Sequence, residues 1–312
     1  MTKIMEQIIK IGARGSPLSL AQTRGLRAEL AAALGIEQAE IEARLPIIPI
    51  ITQGDKIQDR ALLEAGGKGL FTKELDEAML DGRIDCAIHS MKDVPTVLPE
   101  GIVLLGCPKR EDRRDALITT NGLNIEQLPI GATLGTASLR RSAQFLRARP
   151  DLKIGLLRGN VGTRLAKIES GEFDATILAI AGLRRLGLGD TKHHLIDPDE
   201  MPPAIGQGAL AITARNGDEK LASAFAKIHD IATTIEVAAE RGFLRALDGS
   251  CRTPIAALAI YENGFLEFAG ELLSDDGKQV WRAKNSLHNP DVNSAAALGR
   301  ELGLQIKAEA AK

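Results

Sequence analysis

Short apolar runs alternate with amphipathic segments in the first part of the chain. Runs with the length of buried strands occur at residues 8–13, 47–51 and 84–89. Ser16 and Pro17 supply an N-cap and a proline at the first helical position, and the pattern extends this helix to Gly35. A second helix is predicted from Phe71 to Gly82. Helices between apolar strands indicate crossover units on a mostly parallel sheet.

The same alternation starts again near residue 115. Strand-like runs recur at residues 115–118, 132–134, 153–157 and 173–178. Helices are predicted after Ser138 and after Gly162, each opening from a turn that contains glycine. Prolines then cluster at residues 197–203 and disfavour helix and strand interiors. The pattern therefore predicts a second α/β domain that ends near this cluster.

The last part of the chain has a different pattern. A helix is predicted from Ile235 to about Leu247, and β-like runs follow it. These runs are separated by Asn263-Gly264 and Asp276-Gly277, which are hairpin turn sequences. An alanine-rich helix ends the chain. We expect a small α+β domain with antiparallel strands.

The composition excludes several classes of protein. The 312 residues include 39 Lys and Arg against 41 Asp and Glu, a net charge of −2, which argues against a surface that attracts nucleic acid throughout. With only seven Phe, one Trp and one Tyr, the chain lacks the aromatic platforms that stack bases. The N-terminus has no secretory pattern and no apolar run reaches membrane-spanning length, so we expect a cytoplasmic protein without membrane contact.

The three cysteines predict neither a disulfide scaffold nor a metal site. No two of them have a C-x-x-C spacing, and an odd number cannot pair completely. Cys86 and Cys107 lie in apolar, strand-like runs, the second at residues 103–107, and are expected to be buried and inert. Cys251 lies in a polar loop beside Arg252, which favours the thiolate. No His or Asn partner lies near it in sequence, so it is either a reactive thiol or a free loop cysteine without a role.

Arginines stand at the strand-to-helix turns of both α/β patterns. They are Arg14, Arg140, Arg141, Arg158, Arg164 and Arg185. Free backbone N–H groups at such turns already attract anions, and in an open α/β sheet the turns share one edge. The planar guanidinium suits bidentate binding of carboxylate or phosphate. Any one of these arginines alone is more simply a surface charge, but the whole set predicts an anion site.

Asp93 follows the predicted strand that ends in His89-Ser90. An Asp two residues before a Pro is most often a turn residue. The functional alternative is a carboxylate at the ligand-binding edge of the sheet, able to stabilise a cation or exchange a proton. His89 alone is better explained as a hydrogen-bonded strand residue than as a ligand.

Several longer motifs resemble the porphobilinogen deaminase family. They are Gly66-Gly-Lys-Gly-Leu-Phe71, His89-Ser-Met-Lys-Asp-Val-Pro95, Ser138-Leu-Arg-Arg141, Leu157-Arg-Gly-Asn-Val-Gly-Thr-Arg164, Pro203-Ala-Ile-Gly-Gln-Gly208 and Cys251. The resemblance implies two α/β domains like type II periplasmic-binding proteins around a cleft, and a small α+β domain with a three-stranded antiparallel sheet. The implied domains are residues 1–108 with 209–228, residues 114–203, and residues 231–312, the last carrying the cysteine.

The resemblance also implies a reaction. In this family a dipyrromethane cofactor is attached through a thioether to the cysteine that matches Cys251. The transferase deaminates four porphobilinogen molecules and condenses them head to tail, releasing ammonia and the linear tetrapyrrole hydroxymethylbilane for heme biosynthesis. Six bound rings would bring about twelve carboxylates together, which could not be desolvated without cations.

Roles of individual residues follow from the same resemblance. Asp93 matches the catalytic aspartate. Cofactor-binding residues would be Cys251, Lys92, Ser90, Thr136, Ser138, Arg140, Arg141, Arg164 and Arg185. Substrate-binding residues would be Arg14, Lys68, Phe71, Arg158 and Gln22, and no metal is implied. Two positions depart from the family pattern, because Ala137 replaces a Ser and Ser250 replaces a Gly.

Two other classes of function fit parts of the pattern. A solute receptor or effector-binding module explains the arginines but leaves Cys251 and Asp93 without a task. A nucleotide-using transferase would need a Walker-type loop, and no G-x-x-x-x-G-K-[ST] is present. Nothing in the pattern indicates a coiled coil or a broad apolar strip, so we expect a monomer.

Overall fold

The computed structural model describes residues 8–56, 69–249 and 253–312, which form two compact units. Unit 1 comprises the described residues 8–56, 69–110 and 209–233. Unit 2 comprises residues 111–208, 234–249 and 253–312. The chain therefore enters unit 2 after Arg110, returns to unit 1 at Ala209, and leaves it again after Thr233.

The described residues contain thirteen strands. In chain order they are β1 Ile11–Arg14, β2 Ile47–Ile50, β3 Cys86–Ser90, β4 Ile102–Gly106, β5 Asp115–Ile118, β6 Thr133–Gly135, β7 Lys153–Gly155, β8 Ala175–Ala179, β9 His193–Leu195, β10 Leu210–Arg215, β11 Ile255–Glu262, β12 Phe265–Leu273 and β13 Val280–His288.

The described α-helices are α1 Pro17–Leu34, α2 Ile41–Arg44, α3 Gln53–Lys56, α4 Lys73–Leu80, α5 Leu139–Ala148, α6 Val161–Glu169, α7 Ile180–Arg185, α8 Glu219–Phe225, α9 Ile231–Ala246 and α10 Val292–Ala310. Short 3₁₀ helices span Gln38–Glu40, Met91–Asp93 and Ala226–Ile228.

Unit 1 is built on a five-stranded sheet with the order β2-β1-β3-β10-β4. β1 pairs in parallel with β2 and β3, whereas β10 runs antiparallel to both β3 and β4. Leu30 of α1 packs in the core on one face, and Met79 of α4 packs in the core on the other. Both side chains are fully buried, so truncating Leu30 to Ala would cost about 2–5 kcal/mol.

Unit 2 contains a second five-stranded sheet and a three-stranded sheet. The five-stranded sheet has the order β7-β6-β8-β5-β9, with β6 parallel to β7 and β8, and β5 antiparallel to β8 and β9. The strands β11, β12 and β13 form an antiparallel meander. The core of this meander includes Phe243 of α9, Phe268 of β12 and Leu302 of α10.

The two five-stranded sheets confirm the predicted α/β class, and the three-stranded meander confirms the predicted C-terminal sheet. In each large sheet, one antiparallel strand lies between the third parallel strand and the outermost strand. This strand is β10 in unit 1 and β5 in unit 2. Two strands that the apolar pattern did not predict, β9 and β10, complete these sheets.

Local signals explain several element ends. Ser16 caps α1 by accepting a hydrogen bond from the Ser19 N–H, and Gly35 ends the helix in the left-handed conformation at φ 66°. Asn263 and Gly264 join β11 to β12 with φ values of 51° and 78°, which is the backbone that a two-residue hairpin needs. The helix predicted from Phe71 begins at Lys73 instead.

Among the described helices, none combines the length and the apolar character that crossing a bilayer requires.

Candidate functional site

The candidate site residues of unit 1 gather at one edge of its sheet. β1 and β3 are parallel neighbours, so their carboxyl ends meet at the same edge. Arg14 is the last residue of β1 and Ser90 the last of β3. Asp93 ends the 3₁₀ turn that follows β3, and the Val94 N–H closes that turn onto the Met91 carbonyl at 3.1 Å. The edge at which open α/β sheets bind ligands therefore carries a guanidinium and a carboxylate.

The start of α1 holds Arg14 in place. The Ser19 hydroxyl oxygen accepts a hydrogen bond from the Arg14 N–H at 3.1 Å. Ser19 is itself fixed in the first helical turn, because its own N–H donates to the Ser16 hydroxyl at 3.3 Å. Pro17 occupies the first turn without loss of a hydrogen bond, since the N–H that it lacks would have no helical partner.

Arg14 contacts both Asp93 and Phe71. Its Nη1 lies 3.6 Å from Asp93 Oδ2, and its Cζ lies 4.1 Å from the centroid of the Phe71 ring. The side chain of Asp93 is 30% exposed and that of Arg14 is 19% exposed. The ion pair is therefore loose and open to solvent on one side, and the ring covers the guanidinium face.

These three side chains line a concave opening. Its other lining residues are Ser16, Leu18, Ser19, Gln22, His89 and Ser90. Gln22 and Ser90 bond to each other, with 2.9 Å between Gln22 Nε2 and Ser90 Oγ and 3.2 Å between Ser90 Oγ and Gln22 Oε1. Buried Gln22 therefore orients the Ser90 hydroxyl at the rim. Lys92, on the same turn as Asp93, is exposed.

His89 behaves as the strand residue that its sequence context predicts. Its Nε2 lies 3.0 Å from the Thr213 Oγ1 of the neighbouring strand β10. Burial, and secondarily the nearby Arg14, lower the pKa of the imidazole to about 4. The ring is therefore neutral at pH 7.

In unit 2 the candidate residues also follow the carboxyl ends of parallel strands. Thr136 and Ser138 follow β6, Arg158 follows β7, and Arg185 lies on the helix that follows β8. The antiparallel strand β5 begins at this edge, because Asp115 pairs with Ala179, the last residue of β8.

Asp115 binds the guanidinium groups of Arg140 and Arg141. Its Oδ2 lies 2.8 Å from Arg140 Nη2, and its Oδ1 lies 2.7 Å from Arg141 Nη2. Arg141 Nε and Gln207 Nε2 also donate to it, at 3.3 and 2.8 Å. All four side chains are buried. Burial opposes ionisation of the Asp115 carboxyl, but the two cations hold its pKa far below the usual range.

A second group of cations lies beside this cluster. Burial, and then the positive charges of Arg141 and Arg158, lower the pKa of the Arg164 guanidinium to about 10. Arg164 Nε donates to the Gly159 carbonyl at 3.0 Å, and Asn160 caps the helix by accepting from the Thr163 N–H at 2.9 Å. Arg158 and Arg164 thus place positive charge around the start of α6.

The remaining predicted residues of unit 2 have defined partners. The Ser138 N–H donates to Thr136 Oγ1 at 3.1 Å, and the Ser138 hydroxyl accepts from the Arg141 N–H at 3.4 Å as the cap of α5. Arg185 Nη2 donates to the Gly208 carbonyl at 2.8 Å. Thr136 and Ser138 therefore shape the turn that presents Arg140 and Arg141.

Some predicted residues lie outside the described residues, namely Lys68, Ser250 and Cys251. Cys86 and Cys107 are buried free thiols, as predicted, and burial strongly raises the pKa of Cys86. Within the described part of the chain, no three His, Cys, Asp or Glu side chains are grouped to hold a metal ion.

Asp115 and Gln144 were not among the site residues predicted from the sequence. Asp115 opens an otherwise apolar strand, Asp115-Ala-Leu-Ile118, and an ionisable residue at the end of a buried strand could have indicated a paired charge. Gln144 is buried four residues after Arg140 on α5, on the same helical face.

Solved structures of periplasmic binding proteins are distant in sequence. One example is a probable amino-acid ABC transporter extracellular-binding protein from Bacillus subtilis. It is 13% identical, covers 71% of this chain and 90% of its own, and has a TM-score of 0.44.

Curated relatives are much closer. The porphobilinogen deaminase of Phenylobacterium zucineum (strain HLK1) is 54% identical over 98% of this chain and 97% of its own length. That of Caulobacter vibrioides (strain NA1000 / CB15N) is 54% identical, covering 96% and 95% of the two chains. That of Caulobacter sp. (strain K31) is 55% identical, covering 97% and 96%.

Two family models together match almost the whole chain. "Porphobilinogen deaminase, dipyromethane cofactor binding domain" matches residues 9–223, and "Porphobilinogen deaminase, C-terminal domain" matches residues 234–308. The first covers both sheet edges described above, including Asp93, Arg14 and the arginines of unit 2. The chain belongs to the porphobilinogen deaminase family, whose members are transferases of tetrapyrrole biosynthesis that carry a dipyrromethane cofactor.

Proposed function

We propose that this chain joins four porphobilinogen molecules head to tail on a dipyrromethane primer bound through a thioether to Cys251, with loss of one ammonia per unit, and that water then releases the tetrapyrrole as hydroxymethylbilane. The assignment of roles rests on one observation. Asp93 and Arg14 form a partly exposed ion pair, 3.6 Å apart, at the ligand-binding edge of unit 1. A carboxylate in this setting can accept a new partner, whereas one saturated by buried donors cannot.

The residues of unit 2 fit the charge of the cofactor. Dipyrromethane bears an acetate and a propionate on each ring, and it supplies the free pyrrole carbon to which the first porphobilinogen unit is joined. Burial, and then the positive charges of Arg141 and Arg158, lower the pKa of Arg164, and a bound polyacid would neutralise this concentration of positive charge. The buried Nε–H of Arg140 has no acceptor among the described residues, which supports a further contact to a carboxylate oxygen.

We assign the cofactor carboxylates to one set of residues by this fit. Arg140, Arg141, Arg164 and Arg185 would supply charge, and Thr136 and Ser138 would supply hydroxyl contacts. The family resemblance adds Ser90 and Lys92 to the cofactor-binding residues. The arrival of the carboxylates would offset the repulsion among the guanidinium groups, which favours a tight complex.

Each incoming porphobilinogen also carries an acetate and a propionate. We assign their binding to Arg14, Arg158 and Lys68, with Phe71 and Gln22 completing the surface. Phe71 supports this role because its ring lies against one face of the Arg14 guanidinium and so orients the donors of that group along the edge of the sheet. Gln22 contributes by orienting the Ser90 hydroxyl.

Asp93 is proposed as the catalytic residue. When porphobilinogen loses ammonia, the carbon that bore the amine becomes part of an azafulvenium cation. The Asp93 carboxylate would stabilise this positive charge as it develops and accept hydrogen bonds from the pyrrole N–H groups. After the new carbon–carbon bond forms, the same carboxylate can take the proton that leaves the pyrrole α-carbon. Arg14 holds the carboxylate at the edge without sealing it from the substrate.

The proposal extends to organisation and location. Unit 2 contains both a five-stranded sheet and a separate three-stranded sheet with its own core, which supports the division into residues 114–203 and 231–312. The first domain would be residues 1–108 with 209–228. We further propose a cytoplasmic monomer.

The decisive experiment is the intact mass of the purified chain. A covalent dipyrromethane adds several hundred daltons to the sequence mass, and Cys251→Ser removes that addition. An aldehyde reagent that colours pyrroles with a free α-position should react with the wild-type protein and not with the variant. A wild-type chain that shows the bare sequence mass after recovery from porphobilinogen-producing cells would favour a reversible binding protein instead.

A further inference from the structure

A line of buried hydrogen bonds joins the three-stranded sheet to the arginines of unit 2. Glu271 Oε1, on β12, accepts from Gln144 Nε2 at 2.7 Å. Gln144 Oε1 accepts from Arg140 Nη1 at 2.8 Å. Arg140 Nη2 donates to Asp115 Oδ2 at 2.8 Å, and Asp115 in turn binds Arg141. Glu271 is thus connected to Arg141 through three intervening side chains.

The chemistry of these groups allows only one orientation of Gln144. A guanidinium can only donate, and an ionised carboxylate can only accept. The Gln144 amide must therefore turn its oxygen to Arg140 and its nitrogen to Glu271. Its nitrogen also donates to the Pro202 carbonyl at 2.9 Å, which holds the same orientation.

Burial makes this orientation matter. Gln144 and Arg140 are each 4% exposed and Glu271 is 2% exposed, so a group that lost its partner could not turn to water. The helical spacing of residues 140 and 144 places the amide directly beside the guanidinium. The far oxygen of Glu271 accepts from Arg282 Nε at 2.9 Å, which fixes the carboxylate in the sheet.

We infer that Glu271 is a positioning residue for the reaction: it acts through Gln144 to set the orientation of Arg140, and through Asp115 that of Arg141. The three-stranded sheet would thus contribute to the binding of cofactor carboxylates from a distance. This inference rests on the proposed roles of Arg140 and Arg141. Neither Glu271 nor Gln144 touches the cofactor in this scheme.

Exchanging the two polar groups tests the inference. Gln144→Glu alone brings two carboxylates into contact and should lower kcat/KM per cofactor-loaded chain by at least about tenfold. Adding Glu271→Gln reverses the polarity of the line, because the new amide at position 271 donates to the new carboxylate at position 144, and that carboxylate accepts from Arg140. The double variant should have a kcat/KM at least about threefold higher than Gln144→Glu alone, but lower than the wild-type value, because the Pro202 carbonyl still loses the Gln144 donor. The loaded fraction is read from intact mass, and it should fall and recover in parallel.

Glu236→Gln is the matched control. Glu236 is also a buried glutamate that contacts the three-stranded sheet, since it accepts from the Tyr261 N–H at 3.1 Å and pairs with Arg113. These contacts lie outside the line from Glu271 to Arg141. This variant should lower the melting temperature while kcat/KM per loaded chain stays unchanged. A purely structural role for Glu271 predicts the same result for both positions.

Each outcome decides the question. If Gln144→Glu keeps wild-type kcat/KM, or if the folded double variant has no higher kcat/KM than Gln144→Glu alone, the inference is overturned. If Gln144→Glu does not fold, Glu271→Ala replaces it, with an expected loss of about tenfold, and a wild-type value again overturns the inference. Arg140→Lys distinguishes failure of this inference from failure of the proposed function. If Arg140→Lys keeps wild-type kcat/KM and cofactor loading, the proposed roles of the arginines are themselves refuted.

Discussion

The two five-stranded sheets place an aspartate at corresponding edges and use it in opposite ways. In unit 1, Asp93 is 30% exposed and pairs with a guanidinium at 3.6 Å. In unit 2, Asp115 is 3% exposed and accepts four hydrogen bonds from three side chains at 2.7–3.3 Å. The position that matches Asp115 in unit 1 is Leu210, which begins the antiparallel strand opposite Ser90. In unit 1 the aspartate, Asp93, lies instead in the 3₁₀ turn that follows β3, outside the sheet.

In the proposed mechanism this difference separates a reactive carboxylate from a structural one. Asp115 has all four of its acceptor positions filled, so it has no place for a further donor. Removing it leaves two buried cations without a counter-ion and lowers the stability of the fold. Asp93 loses little when a partner is exchanged and can respond to a cation that forms near it. Two aspartates at similar sheet edges therefore differ in their capacity to accept a new partner, because one is buried with four donors and the other is partly exposed beside one cation.

The largest effect is expected for Asp93→Asn. The substitution keeps the shape of the side chain but removes the negative charge, so kcat should fall by about two to four orders of magnitude. The melting temperature should scarcely change, because a partly exposed ion pair contributes at most about 1 kcal/mol. Steady-state kinetics, thermal unfolding and intact mass check this. Near-normal turnover would refute the catalytic role.

Asp115→Asn should act mainly on stability. Removing the charge leaves Arg140 and Arg141 buried without a counter-ion, which should destabilise unit 2 by about 3–5 kcal/mol. Hydrogen exchange of the β8 amides, which belong to the affected sheet, measures the loss. A change below about 1 kcal/mol would show that Asp115 is not the counter-ion that the distances indicate.

His89 should make unit 1 sensitive to mild acid. The imidazole has a pKa of about 4 in the folded chain, below its ordinary value, so the unfolded chain takes up the proton first as the pH falls. Above about pH 6.5 the neutral ring makes its full contribution to the free energy of unfolding. About 3 kcal/mol of that contribution is lost as the pH falls from about 6.5 to about 4. Asp115 behaves differently, because its strongly lowered pKa preserves its contribution until the pH falls below the ordinary carboxyl range.

Comparison with His89→Gln isolates the contribution of the imidazole to stability. The glutamine can still contact Thr213 but has no charge to gain, so the stability difference between the two proteins should shrink as the pH falls from 6.5 to 4. Asp76, whose pKa burial raises to about 6, gives the opposite trend, but both proteins carry it and it cancels. Urea unfolding across this pH range makes the measurement, and parallel curves would contradict the prediction.

Arg14→Lys should give the smallest effect. Lysine keeps the charge but loses the planar contact with Phe71 and the paired donors, so kcat/KM for porphobilinogen should fall about tenfold. Arg27→Lys is the control, because Arg27 pairs with the exposed Glu42 away from the opening. If both variants have equal kinetics, Arg14 acts only as a surface charge.

Local pattern predicted the elements that local chemistry specifies. Ser16, Pro17 and Gly35 marked the ends of α1, and Asn263-Gly264 marked a hairpin, because each acts within a few residues of itself. β10 was missed, since it pairs with strands more than a hundred residues earlier in the chain. Its apolar run has no periodicity of its own that distinguishes a central strand from a buried helix segment.

The same limit applies to the candidate site. The positions of the arginines at strand ends and of Asp93 could be predicted from the pattern, whereas the proposed roles of Lys92, Cys251 and the others come from the resemblance. The contact between Phe71 and Arg14 and the pairing of Asp115 with Arg140 depend on side chains far apart in sequence. No local signal encodes such contacts, and these are what distinguish the two edges.

The late position of β10 has a consequence for synthesis. All strands of the second large sheet lie between Asp115 and Leu195, whereas the first large sheet lacks the strand between β3 and β4 until Arg215 has been made. On the ribosome, the later sheet therefore has its full set of strands before the earlier one does. During that interval β3 and β4 each have an open edge in the nascent chain, and such edges are where pairing with other polypeptides begins.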